Sequence, residues 1–393
     1  MDVQKRTRSV TAIPAISTQT ASTASNSTAR RRAAASKKRR LGFWRAIKSL
    51  FIFGFISSLL FAGWFYFTPS GHEFRFMLAD SLITTQHRHW AKYIIGESAL
   101  KERVTAYSNR FEQMGEERDT HTIPAAAVQP DAPEAAEEQP LTSIETVDGK
   151  GFHGYLLTVR DPQKIRLVVP NKHGRGEKVS SMVKRTGALA GVNAGGFADP
   201  NWKGNGFKPM GLVISGGKIF YNGLGGKESV QIVGIDKKGK MIAGKYSIQE
   251  LMDLGISEAV SFSPRIIVNG KGLIANREQG WGVAPRSVMA QREDGAIMFL
   301  LIDGRQPGYS LGATLYDAQE VLLAHGAVIA ANLDGGSSTV LVTEGGEVVN
   351  RPASTHGERY LPTGFLVFND PDSVEVPNIW AGLKPGDIDA GKW

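Results

Sequence analysis

The 393-residue chain contains no cysteine. That excludes disulfides, thiolate metal sites and a cysteine nucleophile, and it suits an exported bacterial protein that folds without an oxidative step. Residues 1–38 contain no aromatic residue, and residues 50–67 contain no charge. The first gap leaves nothing to build a core from. The second leaves nothing that water would hold at the surface. What is left is long enough for one large or two small domains with an ample core.

Acidic residues are scarce in only one place. The formal charge is +8, but residues 1–49 hold 12 of the 46 Lys and Arg and one of the 38 Asp and Glu, leaving 34 against 37 elsewhere. The basic character belongs to the N-terminus, so nucleic acid is rejected as the main partner. Residues 1–49 read as a basic, disordered cytoplasmic tail. Residues 50–68, built on LFIFGFISSLLFAGWFYF, read as a transmembrane signal-anchor whose partner is the lipid bilayer, with Trp64 and Tyr66 at the far interface. No small-residue cleavage site follows Phe67, and no amphipathic face marks a buried helix. The positive-inside rule then keeps the N-terminus cytoplasmic and sends the rest of a single-pass protein outside the cell.

Residues 69–142 read as a helical stalk and an Ala/Pro/Glu linker, with apolar patches at Phe76, Leu82, Trp90 and Ile94. His87 and His89 stand two apart, which on a helix points them away from each other and argues against a metal pair. Residues 143–370 alternate strand-like runs, hairpin signals at Gly216-Gly217 and Lys237–Gly239, and short helices such as Ser247–Leu254. The fold class expected is α+β, mixed β-sheets with helices packed on them in one domain, followed by a tail at 371–393.

Polar residues capable of chemistry gather in residues 300–340. An apolar run to Ile302 empties into Asp303-Gly304-Arg305, and a helix over Ala313–His325 stops at Gly326. A second run to Leu333 then empties into Asp334-Gly335-Gly336-Ser337-Ser338. If the two strands are parallel neighbours, both polar tips share one sheet edge. Gly335-Gly336 is either an ordinary tight turn or, flanked by Asn332, Asp334 and two hydroxyls, a concavity that holds an anion on backbone N–H groups. Asn193-Ala194-Gly195-Gly196 repeats the pattern at an earlier strand end, where Asn193 is equally a left-handed turn residue. Arg286 is either a surface partner of some carboxylate or a fork for two phosphate oxygens, and the same choice holds for Arg305.

NLDGGSST after a helix ending in HGA, with IDGR, APRS and GVNAGGF upstream in that order, resembles the phosphodiester glycosidase family over residues 151–368. Many members carry three glycines where this chain has Gly335-Gly336. The resemblance implies hydrolysis of a sugar-1-phosphodiester, like that of N-acetylglucosamine, in an envelope or extracellular glycopolymer associated with exopolysaccharide. Such a reaction builds positive charge at the anomeric carbon and negative charge on a leaving phosphate. It implies Asp334 as catalytic carboxylate, base or nucleophile, with Asp303 second and Glu358 as an acid on a loop. Arg286, Arg305, Gly335, Gly336, Ser337 and Ser338 are expected to hold phosphate, and Asn193, Gly195, Gly196 and Asn332 to border sugar or water. No histidine set suggests zinc, so no metal ligand and no definite cofactor are assigned; a divalent cation, Ca²⁺ or Mg²⁺, stays open and would be oxygen-bound. The competing class is a non-catalytic protein that binds a sugar phosphate in the same pocket.

Overall fold

The computed structural model describes residues 21–83, 85, 87–124, 140–200 and 203–392. The chain divides into two units, Met1–His72 and Glu73–Trp393.

The first unit holds helix α1 (Ala21–Phe67). Residues 21–49, expected within a disordered tail, are helical. The segment is poor in apolar residues but rich in Ala, Arg and Lys and free of proline, and those residues favour helix even where no core forms. Residues 1–20 of that expected tail lie outside the described residues. Gly42–Phe67, 26 residues holding an 18-residue stretch with a mean hydropathy of 1.9, is long and apolar enough to cross a membrane. At 1.5 Å per residue it spans about 39 Å, against a hydrocarbon core of about 30 Å.

Three more helices follow, α2 (Pro69–Ile83), α3 (Lys92–Ile95) and α4 (Glu97–Glu116). Residues 73–124 are not a free stalk but part of the second unit. Arg103 pairs with Asp80 at 2.5 Å and ties α4 to α2. Arg265, fully buried, donates to the carbonyls of Met114 (3.1 Å), Glu117 (2.6 Å) and Ala243 (2.9 Å), so one guanidinium joins the end of α4 to the sheets. His121 bridges Asp119 and Gln291, and with Lys240 nearby it holds the Asp119 carboxyl below its ordinary range against the burial that opposes this. The sequence reading placed the domain start at 143 because these helices carry only patchy apolar faces. Their docking combines a few apolar contacts, Met114 and Phe111 among them, with long-range polar contacts that periodicity does not register. The linker at 125–139 lies outside the described residues.

The remainder is α+β. In chain order the strands are β1 (Thr142–Gly149), β2 (Phe152–Val159), β3 (Ile165–Val168), β4 (Ala190–Asn193), β5 (Leu212–Ser215), β6 (Lys218–Asn222), β7 (Ser229–Asp236), β8 (Met241–Ser247) and β9 (Ile256–Ser261). They continue as β10 (Arg265–Val268), β11 (Lys271–Gly272), β12 (Arg286–Arg292), β13 (Ile297–Ile302), β14 (Ala327–Asn332), β15 (Leu341–Thr343), β16 (Glu347–Val348) and β17 (Gly364–Val367). Helices α5 (Val179–Thr186), α6 (Ile248–Asp253) and α7 (Leu315–Ala324) lie among them. The strands form a seven-stranded sheet ordered β1-β2-β13-β12-β14-β10-β11, a five-stranded sheet β16-β15-β4-β17-β3 and a second five-stranded sheet β6-β5-β9-β7-β8.

All three sheets contribute to one core, with Phe299 and Leu157 from the first, Val192 and Phe365 from the second, and Val213 and Val233 from the third. α7 covers the other face of the seven-stranded sheet through Leu315, Ala318 and Leu322, started by a capping box of Thr314 and Asp317. The expected tail after 370 is docked, since Trp380 is buried in the shared core and its indole donates to the Phe207 carbonyl at 2.9 Å.

One expectation about the sheet is corrected. β13 and β14 are not neighbours, because β12 lies between them and pairs antiparallel with both. They therefore run in the same direction and still end at one edge, with Ile302 opposite Arg286 and Asn332 opposite Val288. The consequence for the site holds, and β12 adds Arg286 at the start of the central strand.

A candidate active site at one sheet edge

Where β12 begins and β14 ends, a cavity of about 480 Å³ opens. Its floor is made by Arg286, Arg305, Asn332 and Asp334–Ser338, its far side by Phe197, Asp199 and Arg359, and its near side by residues of α2 and α4.

Arg286 is buried, and its guanidinium is fixed by neutral acceptors. Nε donates to the Ala313 carbonyl at 3.0 Å, and Nη2 to those of Trp281 (2.9 Å) and Gly282 (2.8 Å). Among the described residues neither Arg286 nor Arg305 forms an ion pair. Burial, then the nearby positive charge of Arg305, pushes the Arg286 pKa down to about 10, while Asp317 opposes the shift. Arg305 occupies a left-handed backbone conformation (φ 61°), which costs a non-glycine residue on the order of 1 kcal/mol or more. That turn brings its guanidinium against Gly336, where a Cβ would stand 3.4 Å from an Arg305 nitrogen. Arg286 is buried and Arg305 is exposed to solvent, and the two guanidinium charges repel with no acid between them. An anion placed there relieves the desolvation of Arg286 and the repulsion between the two.

Asp334 sits at the tip of β14. Burial first, and the Asp199 carboxylate to a smaller extent, push its pKa up to about 7, although the Ser338 hydroxyl and Arg359 pull the other way. A carboxylate poised there accepts a proton near neutral pH. Arg359 donates to Asp199 at 2.7 Å and to the Ser337 hydroxyl at 3.3 Å, and lies over the Phe197 ring at 4.9 Å. The Asn332 Oδ1 and the Trp281 indole N–H are buried and unpartnered among the described residues, and both residues border the cavity. Buried polar atoms are paired as a rule, so one acceptor and one donor are left for a ligand.

The glycine turn is only partly the expected cradle. Gly336 has φ 64°, and its N–H goes to the Pro285 carbonyl at 2.9 Å, while the Ser338 N–H goes to Gly335. Of that set, the N–H groups of Gly335 and Ser337 are left for a ligand.

Asn193, Gly195 and Gly196 do not line the cavity. The Asn193 side chain lies beneath it, donating to the Asp334 carbonyl and accepting from Ser287 (3.0 Å) and the Val340 N–H (3.1 Å). Gly195 packs on Val260 and Thr363, and Gly196 on Phe262. Asn193 supports the Asp334 turn, and the two glycines pack beside it outside the cavity lining.

Asp303 does not line the cavity. It is buried and accepts from Asn350 (2.8 Å), the Arg351 N–H (2.9 Å) and the Tyr309 hydroxyl (3.0 Å), which fixes the loop after β16. Those donors also occupy the oxygens that a cation would need. Among the described residues no three His, Asp or Glu side chains gather as a metal set. Glu358 borders an adjoining cavity and accepts from the Ser180 N–H at 3.0 Å, at the start of α5, where a carboxylate suits the helix dipole. It serves as a cap. Arg359, next to Glu358, and Asp199, two residues past the Gly196-Phe197 turn, carry no local sequence pattern that marks them as site residues.

The family model described as phosphodiester glycosidase matches residues 186–368, a span containing every floor and far-side residue named above. A Bacillus subtilis (strain 168) protein, the SPbeta prophage-derived uncharacterized protein YomE, is 29% identical over 182 residues, 44% of this chain and 27% of that protein. The chain thus spans about a quarter of that relative's length. The catalytic domain of zebrafish N-acetylglucosamine-1-phosphodiester alpha-N-acetylglucosaminidase, auto-inhibited by its pro-peptide, shares the fold with a TM-score of 0.50 and 19% identity, covering 60% of this chain and 86% of that one.

Proposed function

Given that residues 186–368 belong to the phosphodiester glycosidase family, we propose that this chain hydrolyses the glycosidic bond of a sugar-1-phosphodiester, and that Asp334 is its catalytic carboxylate. The observation that carries the reading is one cavity holding two unpaired arginines beside a carboxyl with a pKa near 7. Arg286 and Arg305 take the phosphate oxygens, and the N–H groups of Gly335 and Ser337 add to them. The bond between the anomeric carbon and the bridging oxygen breaks, and its electron pair stays on the phosphate. The leaving group is a phosphate monoester, a stable anion, so no general acid has to protonate it. Water bonds to the anomeric carbon and gives its proton to Asp334, or Asp334 attacks first and water then releases the sugar. Asn332 Oδ1 is left to receive a sugar hydroxyl.

The name of the zebrafish protein makes N-acetylglucosamine the first sugar to test. The proposal extends to an envelope or extracellular glycopolymer as substrate, with Gly42–Phe67 spanning the membrane and the domain outside. The test is sugar release from N-acetylglucosamine-1-phosphate methyl diester by the full chain in lipid nanodiscs. Release that falls roughly 10²–10⁴-fold in Asp334→Asn supports the assignment. Binding of the diester without release by either protein favours a non-catalytic binder, and release that survives the substitution removes Asp334 from the chemistry. Parallel assays with Ca²⁺, Mg²⁺ or EDTA test an oxygen-bound cation.

A further inference from the structure

The α2 and α4 residues on the near side of the cavity lie outside residues 186–368. That side is built by Ile83 of α2 and by Val104, Tyr107 and Phe111 of α4, with Trp281 and Leu315 beneath. Thr85 and the exposed Arg88 and Ser108 complete this side, and its aromatic and aliphatic members suit an apolar group better than a sugar hydroxyl or a phosphate. It is also held firmly. The Phe111 carbonyl accepts from Gln231 at 2.6 Å, and the Tyr107 and Phe111 rings pack on the Trp281 ring at centroid distances of 5.5 and 4.5 Å. Trp281 itself has a left-handed backbone (φ 58°), and the Ser81 hydroxyl accepts from the Val283 N–H at 2.9 Å. The loop that carries the Trp281 and Gly282 carbonyls is thus clamped between α2 and α4.

Those two carbonyls hold Arg286, so Arg286 adjoins the wall that Trp281 carries. Asp199 and Arg359 form a second group, close enough to Asp334 to shift its carboxyl, in the lining of the same cavity. A phosphodiester whose phosphate lies on the arginines and whose anomeric carbon faces Asp334 directs its second ester group at the wall. We propose that this wall is a leaving-group subsite for an apolar alcohol, an alkyl or prenyl chain esterified to the phosphate, so that the products are free sugar and an alkyl phosphate. The proposal rests on the phosphodiester reading for its orientation. Recognition of the apolar group depends on α2 and α4, the part of the cavity that this chain adds to its family segment.

The test compares methyl and n-butyl diesters of N-acetylglucosamine-1-phosphate, both water-soluble, with the full chain in nanodiscs. Binding is read by calorimetry on Asp334→Asn and hydrolysis on the unsubstituted protein. Three added methylenes, each about half removed from water against the wall, predict about tenfold tighter binding of the butyl ester. Ser108→Asp, at an exposed position bordering the same wall, is expected to abolish that preference while methyl-ester binding changes less than threefold. Equal affinity for the two esters, or an equal loss of both in Ser108→Asp, overturns the subsite. Absence of hydrolysis with the tenfold preference intact counts against the enzymatic reading alone and leaves the subsite supported.

Discussion

Asp334 carries a conflict between activity and stability. Folded, it keeps its proton up to about pH 7; unfolded, it releases it near the ordinary value of 3.8. Between those values the native state holds the extra proton, so this residue's contribution makes stability fall as pH rises through the window. Asp334→Asn removes the burden. It is expected to lose sugar release while unfolding at pH 8 becomes harder by up to about 4 kcal/mol, a gain that fades toward pH 4. Chemical denaturation at the two pH values measures this, and a variant destabilised at pH 8 would show that the carboxylate is held by partners rather than strained by burial. Sugar release by the unsubstituted protein should rise with pH through about 7, because the working form of Asp334 is ionised. Asp303 behaves oppositely. Its three donors make it structural, so Asp303→Asn is expected to cost roughly 2–4 kcal/mol of stability, with kcat of the protein that still folds kept within a few-fold. A thousandfold loss of kcat without a drop in Tm would return Asp303 to the chemistry.

At the scale of elements, the strand ends and turns were legible because they obey local rules. The apolar run to Ile302, the helix before Gly326 and the Asp334 turn stand where the pattern placed them, and so does the capping Ser247 of α6. Two kinds of information were absent from the pattern. The first is which of two similar acids faces the cavity: Asp303 and Asp334 both end strands, and only the folded loop brings Asn350 and Arg351 onto the first. The second is long-range docking by single polar side chains. Arg265 looks like any strand residue in sequence, yet it holds the end of α4 through two carbonyls 148 and 151 residues away. Arg265→Ala leaves those carbonyls without their donor and is expected to release the C-terminal half of α4, at about 2–4 kcal/mol. Hydrogen exchange should then speed up over residues 104–116 and, through Phe111 and Trp281, over the loop before Arg286. Faster exchange in α4 with the arginine loop unchanged would mean that the clamp does not transmit.

For the whole molecule, the docking of residues 73–124 and the exposed apolar helix set different requirements on the two ends of any shortened chain. A protein beginning at Pro69 keeps α2 and α4 and loses Gly42–Phe67. It is expected to stay in the supernatant after carbonate extraction and to melt in one cooperative transition. A protein beginning at residue 140 loses the donors and acceptors that meet Arg265, Gln231 and Gln291, and it is expected to aggregate or to melt many degrees lower. Equal melting of the two would mean that α2 to α4 only decorate the sheets. The orientation can be tested cleanly because the chain has no cysteine of its own. Single substitutions Lys37→Cys and Lys172→Cys place one thiol at an exposed position on each side of the apolar helix. With the basic N-terminus retained in the cytoplasm, a membrane-impermeant maleimide should label Lys172→Cys in intact cells and Lys37→Cys only after permeabilisation. The reverse pattern would put the candidate active site in the cytoplasm and rule out an extracellular glycopolymer as its substrate.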